Sequence, residues 1–548
     1  MAIDQSKQAP IFENDVKKGA YNNIKGSFPQ QGEEEEIKSS TKISKANTLS
    51  VPESIKRGLG ELKFDTPKKG KLRIMPISDS PWAPTGFGTN TRNVSSILTT
   101  EGHHVGYAGC QNPTHSPYES PWPLGQTEKM VRWENLPILH PGQEKFGEKS
   151  FVQWCHQFKP DVVLTHLDFQ MFQHIANIKN PQTANVPLRN DKGRLLNIKE
   201  RKQLVANLFK QVQKGPPWRW AAVIPFDGQP CIPHWQVLLD QIDYKICMSR
   251  YGQLVAEEEF EGCEDTIYMP HGVDTNFFKP TLNPNYGDKP LREIIGDDVF
   301  VVGTVARNQH RKNIPRLIKG YKEFIDRNKL TPKQTRLILH MDWNDAMGWR
   351  LPDFSIPYGL EDYLVPSLMG VLDAGEAPDD SGMVHLYNCM DAFVLPTAGE
   401  GFGIPTLEAM SCGVPVAVTN YTTAWELIKE DEPEFATFPL FPLGGNYNMS
   451  DGCANGRDHL EDEDICEGGI LLPYKDMWWD TPKRAAPQRA ICSEVAIADA
   501  LDYLYKNPKE RLAMGKAGRE KAIREYDWEP VGKRWMALAE KWMEDIKE

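Results

Sequence analysis

The stretch AGEGFGIPTLEAM, residues 398–410, decides the fold class of this 548-residue chain. It lies between two apolar runs, DAFVLP (391–396) and VPVAVTN (414–420), whose length and composition are typical of buried strands. TLEAMSC is interpreted as the intervening helix, because Pro405 suits the first turn of a helix. The stretch therefore predicts a strand, a glycine-rich turn, a helix and the next strand.

The same alternation extends outward in both directions. Further short apolar runs are KLRIMPIS from Lys71, DVVLTHL (161–167), AAVIPF (221–226), YKICMS (244–249), VFVVGTVA (299–306) and TRLILHM (335–341). Helix-competent stretches separate them, including IPRLIKGYKEFIDRN after the fifth run. Buried strands alternating with helices indicate doubly wound parallel sheets. We predict an α/β chain with two Rossmann-like domains facing a cleft, where ligands bind at the carboxyl ends of the strands.

The chain divides into four predicted parts. Residues 1–70 are polar and hold few aromatic residues, so we predict a disordered or loosely docked tail. One α/β domain is predicted over 71–272 and a second over 273–515, with insertions near 342–382 and 433–466. Residues 516–548 are predicted to form C-terminal amphipathic helices, with a hinge near Asp527 to Pro530. The sequence assigns no role to the tail or the insertions, and it leaves the oligomeric state open.

Composition excludes several classes of protein. The formal net charge of −12, from 63 Lys and Arg against 75 Asp and Glu, argues against a protein that coats duplex nucleic acid, although a local basic groove stays open. No apolar stretch is long enough to span a bilayer, and the first residues lack a signal-peptide pattern, so a cytoplasmic location is expected. The ten cysteines show no repeated CxxC spacing, and we predict neither disulfides nor a metal site.

The chemistry of the central stretch depends on two carboxylates. Glu400 and Glu408 stand eight positions apart, and Gly401 and Gly403 let the backbone turn tightly and present N–H groups at the start of a helix. Two such acceptors can hold separate hydroxyls of one extended ligand, as in a sugar or a ribose. Two solvated glutamates on an ordinary turn remain the alternative interpretation.

EGFGIPTLE resembles the E-x7-E signature of retaining glycosyltransferases of the GT-B fold, most closely glycosyltransferase family 4. Other segments are similar to that family's motifs, in the same order: APTGFGTNTR, YMPHGVDTNFFKP, GTVARNQHRKN, MVHLYNCMDAFVLPTAGEGFG, GGILLPYKD and EYDWEPVGKRW. The resemblance covers about residues 71–548. It implies the GT-B architecture, in which 71–272 form the acceptor domain and 273–515 form the nucleotide-sugar-binding domain. It also implies a final helix that crosses back to the first domain.

The resemblance also implies roles for individual residues. Arg307 and Lys312 match the pair that holds the donor diphosphate, Glu408 matches the ribose-binding glutamate, and Glu400 opens the sugar-binding loop. The implied donor-binding set is Gly86, Gly88, Arg307, Lys312, Glu400, Gly401, Phe402, Gly403, Ile404 and Glu408.

The acceptor side departs from the family pattern. Family members use a histidine of the first domain near the reacting centre, and His166 is one candidate for it. Asp227 stands where many members carry that histidine, so both are catalytic candidates beside Glu400, Arg307 and Lys312. His271 replaces a commoner asparagine and is expected to order the interdomain turn.

The predicted function is transfer of a sugar from a nucleotide-diphosphate sugar to an acceptor hydroxyl, with retention of configuration and without a metal or other cofactor. A GT-B phosphorylase or a nucleotide-sugar epimerase is the alternative enzyme, although no pyridoxal-phosphate lysine motif is evident. A binding subunit that has lost catalysis is the alternative of another class. The donor sugar, its base and the acceptor are left open. The candidate acceptor classes are lipid-linked sugar, polysaccharide, protein, small metabolite and, as the least favoured class, modified nucleic acid.

Overall fold

The structure is a computed structural model. It describes residues 70–83, 85–110, 131–133, 136–139, 146–148, 151–179, 218–282, 284–286, 289–290, 295–296, 298–366, 380–429, 457–480 and 487–547. The predicted tail, apart from Gly70, lies outside the described residues. So do 367–379 of the first predicted insertion and 433–456 of the second.

The first sheet uses residues of the first half of the chain. Its strands are β1 (Arg73–Asp79), β2 (His104–Val105), β3 (Tyr107–Cys110), β4 (Val131–Trp133), β5 (Leu136–Leu139), β6 (Val162–His166), β7 (Arg219–Ile224), β8 (Tyr244–Cys247) and β9 (Ile267–Tyr268). They run in the order β4-β5-β3-β1-β6-β7-β8-β9, with β2 beside β1, and only β4 and β5 pair antiparallel. Every residue of β6 is buried, as in a strand covered on both faces. The helices are α1 (Gly86–Thr100), α2 (Phe151–Phe158), α3 (Gln173–Lys179), α4 (Gln236–Leu239) and α5 (Arg250–Glu259).

The second sheet follows a short antiparallel pair, β10 (Asn285–Tyr286) and β11 (Lys289–Pro290). Its strands are β12 (Phe300–Val305), β13 (Thr335–His340), β14 (Leu364–Pro366), β15 (Ala392–Leu395), β16 (Val416–Thr419), β17 (Ile465–Cys466) and β18 (Gly469–Leu472). The order is β14-β13-β12-β15-β16-β18-β17, parallel except for β17. The reversal of strand order at β12 places a switch point between β12 and β15, where open α/β sheets bind ligands.

The remaining elements complete the second half. The helices are α6 (Ile314–Asn328), α7 (Pro352–Ser355), α8 (Asp380–Asn388), α9 (Ile404–Ser411), α10 (Ala424–Ile428), α11 (Glu494–Lys506), α12 (Pro508–Lys521) and α13 (Trp528–Lys547). A separate antiparallel hairpin consists of β19 (Tyr474–Trp479) and β20 (Gln488–Cys492). Among the helices that the structure describes, none has both the length and the apolar character needed to cross a bilayer.

The predicted α/β class with two Rossmann-like sheets is confirmed, because each quoted apolar run contains a strand and TLEAMSC lies mostly in α9. The return of the last helix to the first half is confirmed too. The Tyr244 hydroxyl donates a hydrogen bond of 3.0 Å to Asp545 in α13. A methyl group added to Gly532 would lie 3.2 Å from Ile97 in α1, so the two helices pack closely.

Two features differ from the sequence interpretation. The segment 342–382 was expected to be a surface insertion, yet β14 within it pairs in parallel with β13 and buries Leu364. This strand is only three residues long, and the segment around it is rich in Trp, Pro and Asp. The sequence therefore shows no periodicity that would predict a strand there. The hairpin of β19 and β20 was not predicted, because Tyr474–Trp479 mixes aromatic and charged residues without a clear alternation.

Candidate functional site

The site lies at the carboxyl end of β15, where the chain turns into α9. Gly403 precedes that helix with φ of 101°, a conformation that glycine adopts without steric cost, and Pro405 stands in the first turn. Glu400, which precedes this turn, lies beside Arg311 and Lys312 in the loop after β12. The glycines therefore place one carboxylate in the loop and leave the other, Glu408, in the helix.

Glu400 is the centre of a buried charged cluster. Its carboxylate forms an ion pair with Lys312 and lies 3.1 Å from Nη1 of Arg311. Its backbone N–H donates to Oγ1 of Thr422 at 3.0 Å. Burial alone would raise the pKa of Glu400, but Lys312 and Arg311 lower it to about 2. Glu400 is therefore ionised at neutral pH.

Lys312 carries the opposite charge in the same cluster. Burial lowers its pKa to about 8, although the nearby Glu400 carboxylate acts in the other direction. The ammonium group is protonated at neutral pH and loses its proton only a little above it. A buried cation at the end of a parallel sheet is suited to a ligand phosphate.

The structure does not bring Arg307 to this cluster. The Arg307 side chain is 62% exposed, and its Nε donates to Oδ2 of Asp345 at 2.9 Å. Arg311 stands beside Lys312 instead, in the 3-10 turn His310–Lys312. Sequence reasoning missed Arg311, and the one available signal was its place directly before Lys312.

Asn308 explains why Asp345 lies over Arg307. Its side-chain amide donates to the carbonyl groups of Asp342 at 2.9 Å and Trp349 at 2.6 Å, and its Oδ1 accepts from the Trp349 N–H at 3.1 Å. These three bonds fix the segment after β13 on the loop that carries Arg307. The role of Arg307 at the donor diphosphate therefore stays a prediction, and it requires the Asp345 contact to break.

Glu408 has a partner of its own. The Tyr387 hydroxyl in α8 donates a hydrogen bond of 2.7 Å to Oε2 of Glu408. This bond orients the carboxylate from the side of α8. Glu400 and Glu408 thus have separate partners, as two contacts to different parts of one ligand require.

The predicted glycine loop of the first half reaches this edge. A methyl group added to Gly86 would lie 2.8 Å from Cδ1 of Ile404, and one added to Gly88 would lie 2.9 Å from the Ser80 carbonyl oxygen. The starts of α1 and α9 therefore approach as closely as glycine permits. The structure thus brings together Gly86 and Ile404, two residues of the predicted donor-binding set.

His166 and His271 form a buried pair against Phe402 of the predicted sugar-binding loop. Nδ1 of His166 lies 2.8 Å from Oγ1 of Thr91, and the two Nε2 atoms lie 3.3 Å apart. The His271 ring stacks on Phe402 with 5.1 Å between centroids. Burial lowers the pKa of both rings, that of His271 to about 3, so both are neutral and one Nε2–H donates to the other ring.

Asp227 lies against Gly399, directly before Glu400 in the chain. Its carboxylate is 3.1 Å from Nη1 of Arg489, and Arg489 also donates to the Asp227 carbonyl. A methyl group added to Gly399 would lie 2.2 Å from that carbonyl oxygen, so the loops of the two halves touch here. The structure therefore brings Asp227 close to Glu400 in space. The contacts of Asp227 are with Arg489 and Gly399.

Asp168 is a further ionisable group on the first half that sequence reasoning did not select. It follows β6, and its side chain is exposed to solvent at one side. Protein atoms close to its carboxylate nevertheless displace much of the surrounding water. The resulting desolvation and the charge of Asp227 raise its pKa to about 6, while Arg311 acts to lower it. Within the described ranges, no group of three or more His, Cys, Asp or Glu side chains is placed to hold a metal ion.

Comparison with known families gives a match over the central stretch. Residues 374–439 match the family model described as Glycosyl transferases group 1. This segment contains Glu400, Glu408 and the turn into α9. The sequence-based resemblance to this family is therefore confirmed.

Two curated relatives match longer stretches of the chain. The O-antigen chain mannosyltransferase B of Escherichia coli is 36% identical over 133 residues, which are 23% of this chain and 29% of that protein. The lipopolysaccharide core biosynthesis mannosyltransferase LpsB of Rhizobium meliloti (strain 1021) is 28% identical over 162 residues, 29% of this chain and 41% of that protein. The chain thus spans less than half the length of these relatives.

Solved structures show the same fold over most of the chain. Sucrose-phosphate synthase from Thermosynechococcus elongatus has a TM-score of 0.54 at 16% identity and covers 87% of this chain and 100% of its own. Anabaena HepE in complex with UDP and glucose has a TM-score of 0.54 at 14% identity, over 85% and 99% of the two chains. The arrangement of two Rossmann-like domains is thus the GT-B fold.

Proposed function

We propose that this member of the group 1 glycosyltransferases is a retaining enzyme of glycosyltransferase family 4 type, which transfers a hexose from a nucleoside-diphosphate sugar to an acceptor hydroxyl without a metal. The observation that carries the proposal is the buried Glu400–Lys312 ion pair, whose carboxylate lies at the turn into α9 within the segment that matches the family. Its cation suits a diphosphate and its anion suits sugar hydroxyls.

The donor would lie along the carboxyl edge of the second sheet. Glu408 would accept hydrogen bonds from the ribose hydroxyls, and Glu400 from the sugar. Lys312 would contact the diphosphate, and Arg307 would join it once released from Asp345. These cations, held in a site shaped before the reaction, would stabilise the charge that develops as the diphosphate leaves.

The chemical step would exchange one bond for another. The bond from the anomeric carbon to the donor phosphate oxygen breaks, and a bond to the acceptor oxygen forms on the same face of the sugar. The acceptor proton passes to the departing phosphate. Contact between the two halves at Gly399 and Asp227 would exclude water and limit hydrolysis.

The relatives narrow the candidates for the donor. Two matched relatives are mannosyltransferases by name, and one structural neighbour binds UDP and glucose. We therefore place nucleoside-diphosphate mannose first and UDP-glucose second. The names of the relatives also favour a saccharide acceptor, and the expected location of the reaction is the cytoplasm.

The test incubates the full chain with GDP-mannose, UDP-glucose or UDP-N-acetylglucosamine and a mannose oligosaccharide, with and without EDTA. Release of nucleoside diphosphate from one donor, unchanged by EDTA, supports the proposal. Proton NMR of the product then reports the anomer, and an inverted anomer would refute retention. A donor that binds without turnover would favour the non-catalytic subunit instead, and turnover abolished by EDTA would overturn metal independence.

A further inference from the structure

The hairpin of β19 and β20 contacts the loops of both halves. The Gln488 N–H donates to the Gln229 carbonyl of the first half at 2.6 Å, and the Ala490 N–H donates to the Ala398 carbonyl of the second half at 3.3 Å. In the described part of the chain, this hairpin pairs with neither large sheet through a strand ladder. β20 therefore lies between the loop that carries Asp227 and the loop that carries Glu400.

Arg489 stands between these two contacts and is almost fully buried. Its side chain is 6% exposed, with Asp227 at Nη1 and Asp480 at Nε, the latter at 3.0 Å. Burial acts to lower the pKa of the guanidinium, but the charges of Asp227 and Asp480 raise it, so Arg489 stays cationic. Because Nη1 contacts both the carboxylate and the carbonyl of Asp227, it fixes the side chain and the backbone of that residue together.

Asp227 also lies on the wall of a small pocket beside the hairpin. The pocket is lined by Pro225, Phe226, Pro230, Ile232 and Trp235 of the first half and by Pro487 of the hairpin. The Asp227 carboxylate is 34% exposed and supplies the negative charge of this mainly apolar wall. The pocket is too small to enclose a sugar ring, but a ring at its mouth can pack its C–H face on the apolar side chains while a hydroxyl donates to the carboxylate.

We propose that Arg489 is a positioning residue for sugar transfer. It holds Asp227 so that the Asp227 carboxylate accepts a hydrogen bond from a hydroxyl of a saccharide acceptor at the mouth of this pocket. The inference rests on the proposed function and assigns the acceptor side of the same site. Arg489 itself contacts neither donor nor acceptor in this arrangement. Arg489 acts through Asp227, and its position on β20 of the hairpin places it beside that residue.

The test compares Arg489→Gln with Lys475→Gln in the full chain. Lys475 belongs to the same hairpin and pairs with Glu494 at 3.0 Å instead of Asp227, so it controls for loss of a hairpin charge. With a saccharide acceptor, Arg489→Gln should lower kcat or raise the acceptor KM, with a combined loss on the order of 10–100-fold in kcat/KM for the acceptor. The dissociation constant for the donor should change less than about 2-fold. Lys475→Gln should match the wild type.

A double-mutant cycle separates positioning from general stability. If Arg489 acts through Asp227, adding Arg489→Gln to Asp227→Asn should cost far less than it does in the wild type. Additive losses would overturn the inference, and so would an Arg489→Gln variant with wild-type acceptor kinetics. Arg489→Lys keeps the charge but loses the planar fork, so it should fall between the wild type and Arg489→Gln.

Hydrogen exchange gives a readout that does not require turnover. Arg489→Gln should speed amide exchange in peptides that cover 225–229, while Lys475→Gln should not; equal exchange in all three proteins would overturn the inference. A wild type that binds and turns over no donor would contradict the proposed function, whereas normal donor turnover with unaltered acceptor kinetics in Arg489→Gln would contradict this inference alone.

Discussion

At the scale of single residues, the site depends on how buried charges offset one another. Lys312 and Glu400 are both buried, and each would be costly without the other. Arg311 adds a second cation 3.1 Å from Glu400, which leaves the cluster positive overall. An incoming diphosphate would therefore meet a net positive charge that the fold already holds in place.

Lys312 should set the basic limb of the pH profile. Burial lowers its pKa to about 8, so kcat/KM for the donor should fall as the pH rises through that value and the ammonium is lost. Lys312→Arg keeps its charge at every accessible pH, and its remaining activity should show no decline near pH 8. An unchanged basic limb in Lys312→Arg would contradict this assignment.

Tyr387 should tune the affinity for the donor. Its hydroxyl orients Glu408 at 2.7 Å, so Tyr387→Phe should weaken donor binding by about 2–10-fold, measured by calorimetry. Tyr363→Phe is the matched control, because the Tyr363 hydroxyl binds the Leu330 carbonyl at 2.7 Å away from the site. Equal donor affinity in the two variants would argue against a role of Glu408 at the ribose.

At the scale of elements, loops of the two halves meet directly beside Glu400. The loop after β15 touches the loop after β7, and β20 lies beside both. Gly399 makes the contact possible, since its φ is 150° and an added methyl group would lie 2.2 Å from the Asp227 carbonyl oxygen. Neither backbone can move away without disturbing Glu400 or Asp227.

Gly399→Ala should therefore separate the two loops. We expect a loss of turnover on the order of 10-fold or more, together with a lower melting temperature, because the new methyl group clashes with backbone. Gly262→Ala is the control, since Gly262 has φ of 67° and nothing within 4 Å of an added methyl group, so it tests backbone strain alone. If both variants lose the same activity, the close approach of the loops is not what matters.

Sequence patterns predicted the elements well because buried parallel strands read as continuous apolar runs. β12, β13, β15 and β16 all follow this rule. The hairpin does not, and its contacts join residues far apart in the chain: Arg489 is 262 positions from Asp227. Arg311 likewise meets Glu400 across 89 positions. Local periodicity and motif spacing carry no information about such pairs, so these two arginines were found only in the folded chain.

At the scale of the whole molecule, residues of the second half also cap elements of the first. Glu426 in α10 accepts the backbone N–H of Arg250 at 2.5 Å, at the start of α5. The C-terminal segment adds a second connection, where the Val273 N–H donates to the Tyr526 carbonyl at 2.8 Å. The two halves are thus joined at several points away from the ligand edge.

Glu426 should make the stability of the fold fall as pH rises. Burial raises its pKa to about 8, above the value of about 4.3 expected in the unfolded chain. Its contribution is therefore complete below about pH 4.3 and is lost as the pH rises towards 8. Glu426→Gln removes the titration, so urea unfolding at pH 5.5 and 8 should show a smaller decline than in the wild type. An equal decline in both proteins would contradict the buried, protonated state of Glu426.

The central claim is that the carboxyl edge of the second sheet holds a nucleoside-diphosphate sugar. Calorimetric titration of GDP-mannose and UDP-glucose into the wild type and Glu408→Ala, each with EDTA, tests it most directly. We expect one donor to bind the wild type and to bind Glu408→Ala about 10–150-fold more weakly, because a charge-assisted contact to the ribose is lost. Equal affinity for that donor in a folded Glu408→Ala, or no binding of any nucleoside-diphosphate sugar by the wild type, would contradict the account.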